Sequence, residues 1–122
     1  MGRNCGWLTA KTALEYRDRM SKRSFIPELL IDQERWDIDA IYIPESDFNY
    51  QTEASRLKEI MDEKDGVNIF MSEGAGLETI VREMKNNGET IPKDAFGHVR
   101  LDEINPGQWF ADQFEEALSA DK

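Results

Sequence analysis

Residues 67–77 read VNIFMSEGAGL, and this stretch decides what kind of fold the chain makes. VNIFM is a short apolar run of the kind that fills a buried strand. SEGAG follows at once, with glycines at Gly74 and Gly76. From Leu77 the period changes. Leu77, Ile80, Val81 and Met84 recur at i, i+3, i+4 and i+7, which is one face of a helix. Asn87-Gly88 then offers a left-handed stop. Strand, glycine-rich turn and helix in immediate succession form the building unit of α/β proteins.

The same alternation extends in both directions. Upstream, DAIYIPE holds a second apolar run, Ala40 to Ile43, ended by Pro44 and predicted to be a strand. Asp47 or Asn49 is placed to cap the helix after it. Ala54, Leu57, Ile60 and Met61 give that helix an apolar stripe, and Asp65-Gly66 ends it. Further upstream, residues 7–20 carry a helical pattern that begins after Gly6. Residues 21–38 have no clean period and are expected to connect, with at most a short helix. Downstream, AFGHVRL (95–101) is a third strand candidate. Asn105-Pro106 then starts a last helix with Phe110, Phe114 and Leu118 on its face. The expected order is α-β-α-β-α-β-α in a mainly parallel sheet. Three strands are few for a parallel sheet, which needs cover on both faces and neighbours on both edges.

Composition narrows the function. The chain has 122 residues, 15 basic against 25 acidic, for a net charge of −10. That balance argues against nucleic acid, which calls for a basic face. An anionic small molecule would need a local positive pocket against a repulsive overall field. One cysteine excludes an internal disulfide and fits a reducing compartment. No apolar run approaches the roughly 20 residues of a membrane span, and the first residues lack a signal-peptide core. A cytoplasmic location is the expectation, with no membrane partner.

Open α/β sheets bind ligands at the carboxyl ends of their strands, so three stretches carry the chemistry. In SEGAG, Gly74 and Gly76 let backbone approach a ligand, and Glu73 is an acceptor for sugar hydroxyls. From spacing alone the simpler reading of SEGAG is a plain strand-to-helix turn, with glycines for geometry. It is not a phosphate loop of the lysine-serine type, because those residues are absent. In MGRN, Arg3 offers a forked donor to a phosphate, or is a surface arginine at a chain end. In KDAFGHVRLD, His98 is the only histidine. Beside a strand it is more simply a packed, hydrogen-bonded residue than an acid–base catalyst. With no nucleophile triad and no second histidine, hydrolysis and a zinc site are weak readings.

MGRNCGWLTA, RWDIDAIYIPE, VNIFMSEGAG and DAFGHVRLDEINPG, taken in this order, resemble the phosphofructokinases, most of all the pyrophosphate-dependent bacterial form. The resemblance runs over essentially the whole chain. It implies a partial three-layer Rossmann-like α/β unit belonging to the phosphofructokinase fold. It implies an activity: phosphorylation of fructose 6-phosphate on its 1-hydroxyl, with pyrophosphate preferred over ATP as donor and Mg2+ as cofactor, in glycolysis. Met1, Gly2 and Arg3 match the family's MGR motif and would bind the substrate, with Met1 against the sugar and Arg3 supplying donors. Glu73 would accept sugar hydroxyls, and His98 would lie at or near the same site. The family's donor loop and its catalytic aspartate precede MGR, and the Mg2+ ligands are expected outside residues 1–122. Residues 1–122 are therefore expected to be a single central fragment that carries part of the sugar-phosphate site, no catalytic residue and no metal ligand. It is expected to be inactive alone, and its parent to be a homo-oligomer. The rival expectation is a stand-alone, non-catalytic module that binds a sugar phosphate or a protein.

Overall fold

A computed structural model describes residues 5–26 and 32–119. In chain order the elements are α1 (Trp7–Ser21), α2 (Gln33–Trp36), β1 (Ala40–Tyr42), α3 (Tyr50–Lys64), β2 (Ile69–Met71), α4 (Leu77–Asn86), α5 (Leu101–Ile104) and α6 (Pro106–Ser119). β1 and β2 are parallel neighbours, with Ala40 opposite Ile69, Ile41 opposite Phe70 and Tyr42 opposite Met71. A parallel pair needs a crossover, and α3 supplies it.

Alternation along β1 divides the two faces of the sheet. Ala40 and Tyr42 are buried on one side, in a cluster with Ala54, Leu57, Ala75, Ile80, Phe110 and Phe114. That cluster joins α3, α4 and α6, and α3 packs along α6. On the opposite face α1 lies across both strands, and Tyr16 meets Phe70 with ring centroids 5.3 Å apart. The layers are α1, the sheet, then α3, α4 and α6. This is the α/β, three-layer, parallel architecture expected, reduced to a two-stranded sheet.

The expected third strand is not formed. Among the described residues, 92–100 fold back on themselves. Val99 makes an isolated antiparallel bridge with Lys93, and Asp94 N–H donates to the His98 carbonyl at 2.8 Å. The Asp94 carboxylate accepts the amides of Phe96 and His98, both at 2.9 Å, and Gly97 has φ +83°. An aspartate turn followed by a left-handed glycine closes a tight loop, and that local chemistry outweighs the apolar character of the segment. His98 is consequently not packed beside a strand: its side chain is 71% exposed.

The helix boundaries follow the sequence closely. Asn49 caps α3, its side chain accepting from the Gln51 and Thr52 amides. Asp65 ends α3 in the left-handed region at φ 64°, and Gly88 follows α4 at φ +73°. Asn105 also takes a positive φ, 47°, as the hinge between α5 and α6.

Candidate functional site

Because β1 and β2 are parallel, their carboxyl ends lie along one edge of the sheet. The loop after β1 and the SEGAG turn after β2 meet there, and the Ser72 amide donates to the Tyr42 carbonyl at 2.9 Å. Ala75 N–H donates back to the Ser72 carbonyl at 3.0 Å. Gly76 stands at φ +67°, and a Cβ on it would collide with the Phe110 ring. Here glycine answers a backbone and packing demand. The turn-forming reading of SEGAG thus accounts for Gly76, while Gly74 and Gly76 together also line an open crevice.

That crevice, about 680 Å³, lies on one side of the turn and is bordered by Phe48, Asn49, Gly74, Gly76, Thr79 and Arg82. A second, about 280 Å³, lies on the other side, between Met71, Ser72, Glu73 and the α5–α6 corner at Asn105 and Pro106. Glu73 is exposed at the rim of this second crevice. His98 lines neither of them; its Nδ1 stands 3.5 Å from Asp94 Oδ2. Met1, Gly2 and Arg3 lie outside the described residues.

Sequence reasoning missed Glu45. Its carboxylate reaches back 39 positions to accept the Gly6 amide with both oxygens, at 2.8 and 3.0 Å. The available signal was position: an acidic residue one step past Pro44, at the carboxyl end of a strand. Arg82, on the first crevice, was also missed. Its position in the second turn of α4 gives no hint that it lines this crevice.

Behind the site, Tyr42 O–H donates to Glu53 Oε2 at 2.6 Å. Arg56 donates to both Glu53 oxygens, at 3.2 and 2.6 Å. The Arg56 bonds hold the Glu53 carboxyl below the usual carboxylate range. Burial, then the Glu53 carboxylate, pushes the Tyr42 phenol up. Among the described residues, no group of three or more His, Cys, Asp or Glu side chains is arranged to hold a metal ion. No described helix is long and apolar enough to cross a membrane.

No family model matches the chain, and no solved structure does. Curated relatives do, over all 122 residues. The chain is 51% identical to the pyrophosphate–fructose 6-phosphate 1-phosphotransferase of Methylomonas methanica. It is 49% identical to the protein of that name from Methylotuvimicrobium alcaliphilum and 52% identical to that of Mastigamoeba balamuthi. In each case it spans 30% of the relative's length. At about half identity along all 122 residues, this stretch of chain is similar to part of proteins that bear the name pyrophosphate–fructose 6-phosphate 1-phosphotransferase.

Proposed function

We propose that this chain carries the sugar-phosphate side of a pyrophosphate-dependent 6-phosphofructokinase. Such an enzyme transfers a phosphoryl group to the 1-hydroxyl of fructose 6-phosphate, giving fructose 1,6-bisphosphate in glycolysis. The observation that carries this reading is the end-to-end match to relatives that all bear the pyrophosphate–fructose 6-phosphate name. The same names favour pyrophosphate over ATP as donor.

In this reading the chain binds and orients the acceptor. Arg3 presents a forked pair of donors to an anionic or hydroxyl oxygen. Gly2 leaves room for that approach, and Met1 lies against the apolar face of the sugar. Glu73 accepts hydrogen bonds from sugar hydroxyls, a role supported by its exposure on the crevice beside SEGAG. His98 is placed near the same ligand by the family resemblance alone; it stands exposed on its loop beside Asp94, outside both crevices. Phosphoryl transfer depends on positioning and on charge stabilisation, with magnesium bridging phosphate oxygens. The donor site, the base and the magnesium ligands belong to the portion of the relatives' length that these residues do not match. The chain by itself therefore turns over no substrate, while the intact enzyme is a cytoplasmic homo-oligomer.

The test is Glu73→Gln in the intact enzyme. A hydrogen bond to a charged acceptor contributes about 1.5–3 kcal/mol, so the KM for fructose 6-phosphate should rise about tenfold or more. The KM for pyrophosphate should stay within twofold. If both constants are unchanged, Glu73 is not in the site. If the wild-type enzyme uses ATP and not pyrophosphate, the donor assignment fails.

A further inference from the structure

Ser72 is a polar residue that the fold buries, 9% exposed, at the step from β2 into the turn. Its backbone is held on both sides. The amide donates to the Tyr42 carbonyl at 2.9 Å, and the carbonyl accepts the Ala75 amide at 3.0 Å. Neither bond uses the hydroxyl, which has no hydrogen-bond partner among the described residues. A buried hydroxyl ordinarily finds one. Among the described residues, no side-chain oxygen or nitrogen without a partner is sealed off from the surface, so the Ser72 hydroxyl opens onto the space beside it. That space is the second crevice, about 280 Å³, which Ser72 lines together with Glu73. The remaining walls say what class of group suits it. Met71, Leu101 and Pro106 are apolar, and no lysine or arginine stands among the described lining residues. A phosphate calls for such a cation; carbon-bound hydroxyls do not. A sugar ring offers C–H surface to the apolar walls and hydroxyls to the polar pair. The volume lies just below the usual range of small-molecule pockets, about 300–1,000 Å³, and suits one ring. A carboxylate such as Glu73 only accepts hydrogen bonds, whereas a serine hydroxyl both donates and accepts. Side by side, they match two neighbouring ring hydroxyls.

We propose that Ser72 is a specificity-determining contact for the sugar. In the second crevice its hydroxyl bonds one of the neighbouring 3- and 4-hydroxyls of fructose 6-phosphate, and Glu73 takes the other. The proposal rests on the reading of Glu73 as an acceptor of sugar hydroxyls. The two backbone bonds set the position of Ser72 before a ligand arrives, which lowers the cost of binding. The phosphate finds no cation in this crevice and is held elsewhere. A buried hydroxyl that expects a partner also discriminates, because an analogue lacking that partner leaves it unpaired.

The experiment is a cycle between protein and substrate in the intact enzyme. kcat/KM is measured for wild type and Ser72→Ala with fructose 6-phosphate and with its 3-deoxy and 4-deoxy analogues, at saturating pyrophosphate. Ser72→Ala should lower kcat/KM for fructose 6-phosphate about three- to tenfold, the range of one neutral hydrogen bond. The KM for pyrophosphate should stay within twofold. One analogue should be poor for wild type and lose little more in Ser72→Ala, because variant and analogue remove the same bond. With the other analogue the two losses should multiply. Multiplied losses with both analogues would overturn the proposal, since a merely structural serine has no preferred hydroxyl. An unchanged kcat/KM for fructose 6-phosphate would overturn it as well. Either result leaves the proposed function standing wherever Glu73→Gln raises the fructose 6-phosphate KM. A wild-type enzyme that does not use fructose 6-phosphate removes the proposed function first, and the Ser72 contact with it. Should Ser72→Ala not fold, Ser72→Cys, which keeps the side-chain shape and leaves only a weak donor, provides the same cycle.

Discussion

Tyr42, Glu53 and Arg56 show how one buried hydroxyl organises its surroundings. Tyr42 is 5% exposed, so its O–H must find an acceptor inside the protein. Glu53 accepts it from the first turn of α3, and Arg56, one turn on, neutralises the carboxylate. Arg56 also donates to the Asp39 carbonyl at 3.1 Å, tying the helix to the residue before β1. Glu53→Gln should destabilise the fold by about 1–3 kcal/mol near pH 7. The Glu53 carboxyl titrates below its ordinary value of 4.5 when folded. Its contribution is then complete above the unfolded-state pKa and is lost as pH falls through the folded-state value. Urea titrations of wild type and Glu53→Gln in dilute solution should differ at pH 7 and converge in acid. A gap that persists undiminished in strong acid would mean the charge is not the source.

The elements owe their boundaries to short-range chemistry, which is why those boundaries were legible. The Asn49 side chain bonds amides only two and three residues ahead. Asn49→Ala should therefore cost about 1 kcal/mol, within the ~0.5–2 kcal/mol range of such caps, as read by chemical denaturation. Gly76 is of another kind. Its positive φ is visible as a glycine in a turn, but the collision that any Cβ would make with Phe110 involves a residue 34 positions away (76 to 110) in α6. Gly76→Ala combines left-handed strain of about 1 kcal/mol with overpacking of about 1–3 kcal/mol. It should exceed the Asn49 effect, and pairing it with Phe110→Leu should recover part of the loss. Equal losses with and without Phe110→Leu would show that strain alone is responsible. The expected strand at 95–101 failed at this same scale. Asp94 and Gly97 are three residues apart, and their turn closes before a neighbouring strand has any influence.

Across the whole molecule, a two-stranded parallel sheet is carried by the helices packed on it. Two strands alone are marginal; here Phe110 and Ile80 are fully buried behind them. At the amino ends of the strands a largely buried ion pair closes the sheet. Lys64 Nζ is 2.6 Å from Asp39 Oδ1, with side chains 16% and 8% exposed. Asp39 Oδ2 accepts the Asn68 amide at 2.8 Å. Lys64→Met would leave that carboxylate without its cation, at a cost of about 3–5 kcal/mol, measurable as a lowered denaturation midpoint. The outer surface is less settled. Trp7, Leu8 and Leu14 on α1 are more than half exposed, Ile41 is 40% exposed and Phe96 87% exposed. Apolar exposure beside open strand edges favours association. The 122-residue chain on its own should self-associate or bind an apolar dye; a monomer with sharp, dispersed amide resonances would contradict this.

The alternation of elements as far as α4, the two parallel strands and the stops at Asp65 and Gly88 were determined by the sequence itself, which also narrowed the cap of α3 to Asp47 or Asn49. Each depends on period, turn chemistry or residues within a few positions of one another, and such forces are written locally. The resemblance to the phosphofructokinases was legible for a related reason: the motifs that carry it lie within short runs around SEGAG and MGR. Tertiary structure alone decided that Glu45 holds Gly6, that Arg82 lines the crevice beside SEGAG, and that His98 stands exposed on a loop outside the two crevices there. Those contacts join residues tens of positions apart, and their geometry exists only once α1, the sheet and α6 have packed. No period or propensity encodes where two distant side chains will meet, because that depends on the sum of all the intervening packing.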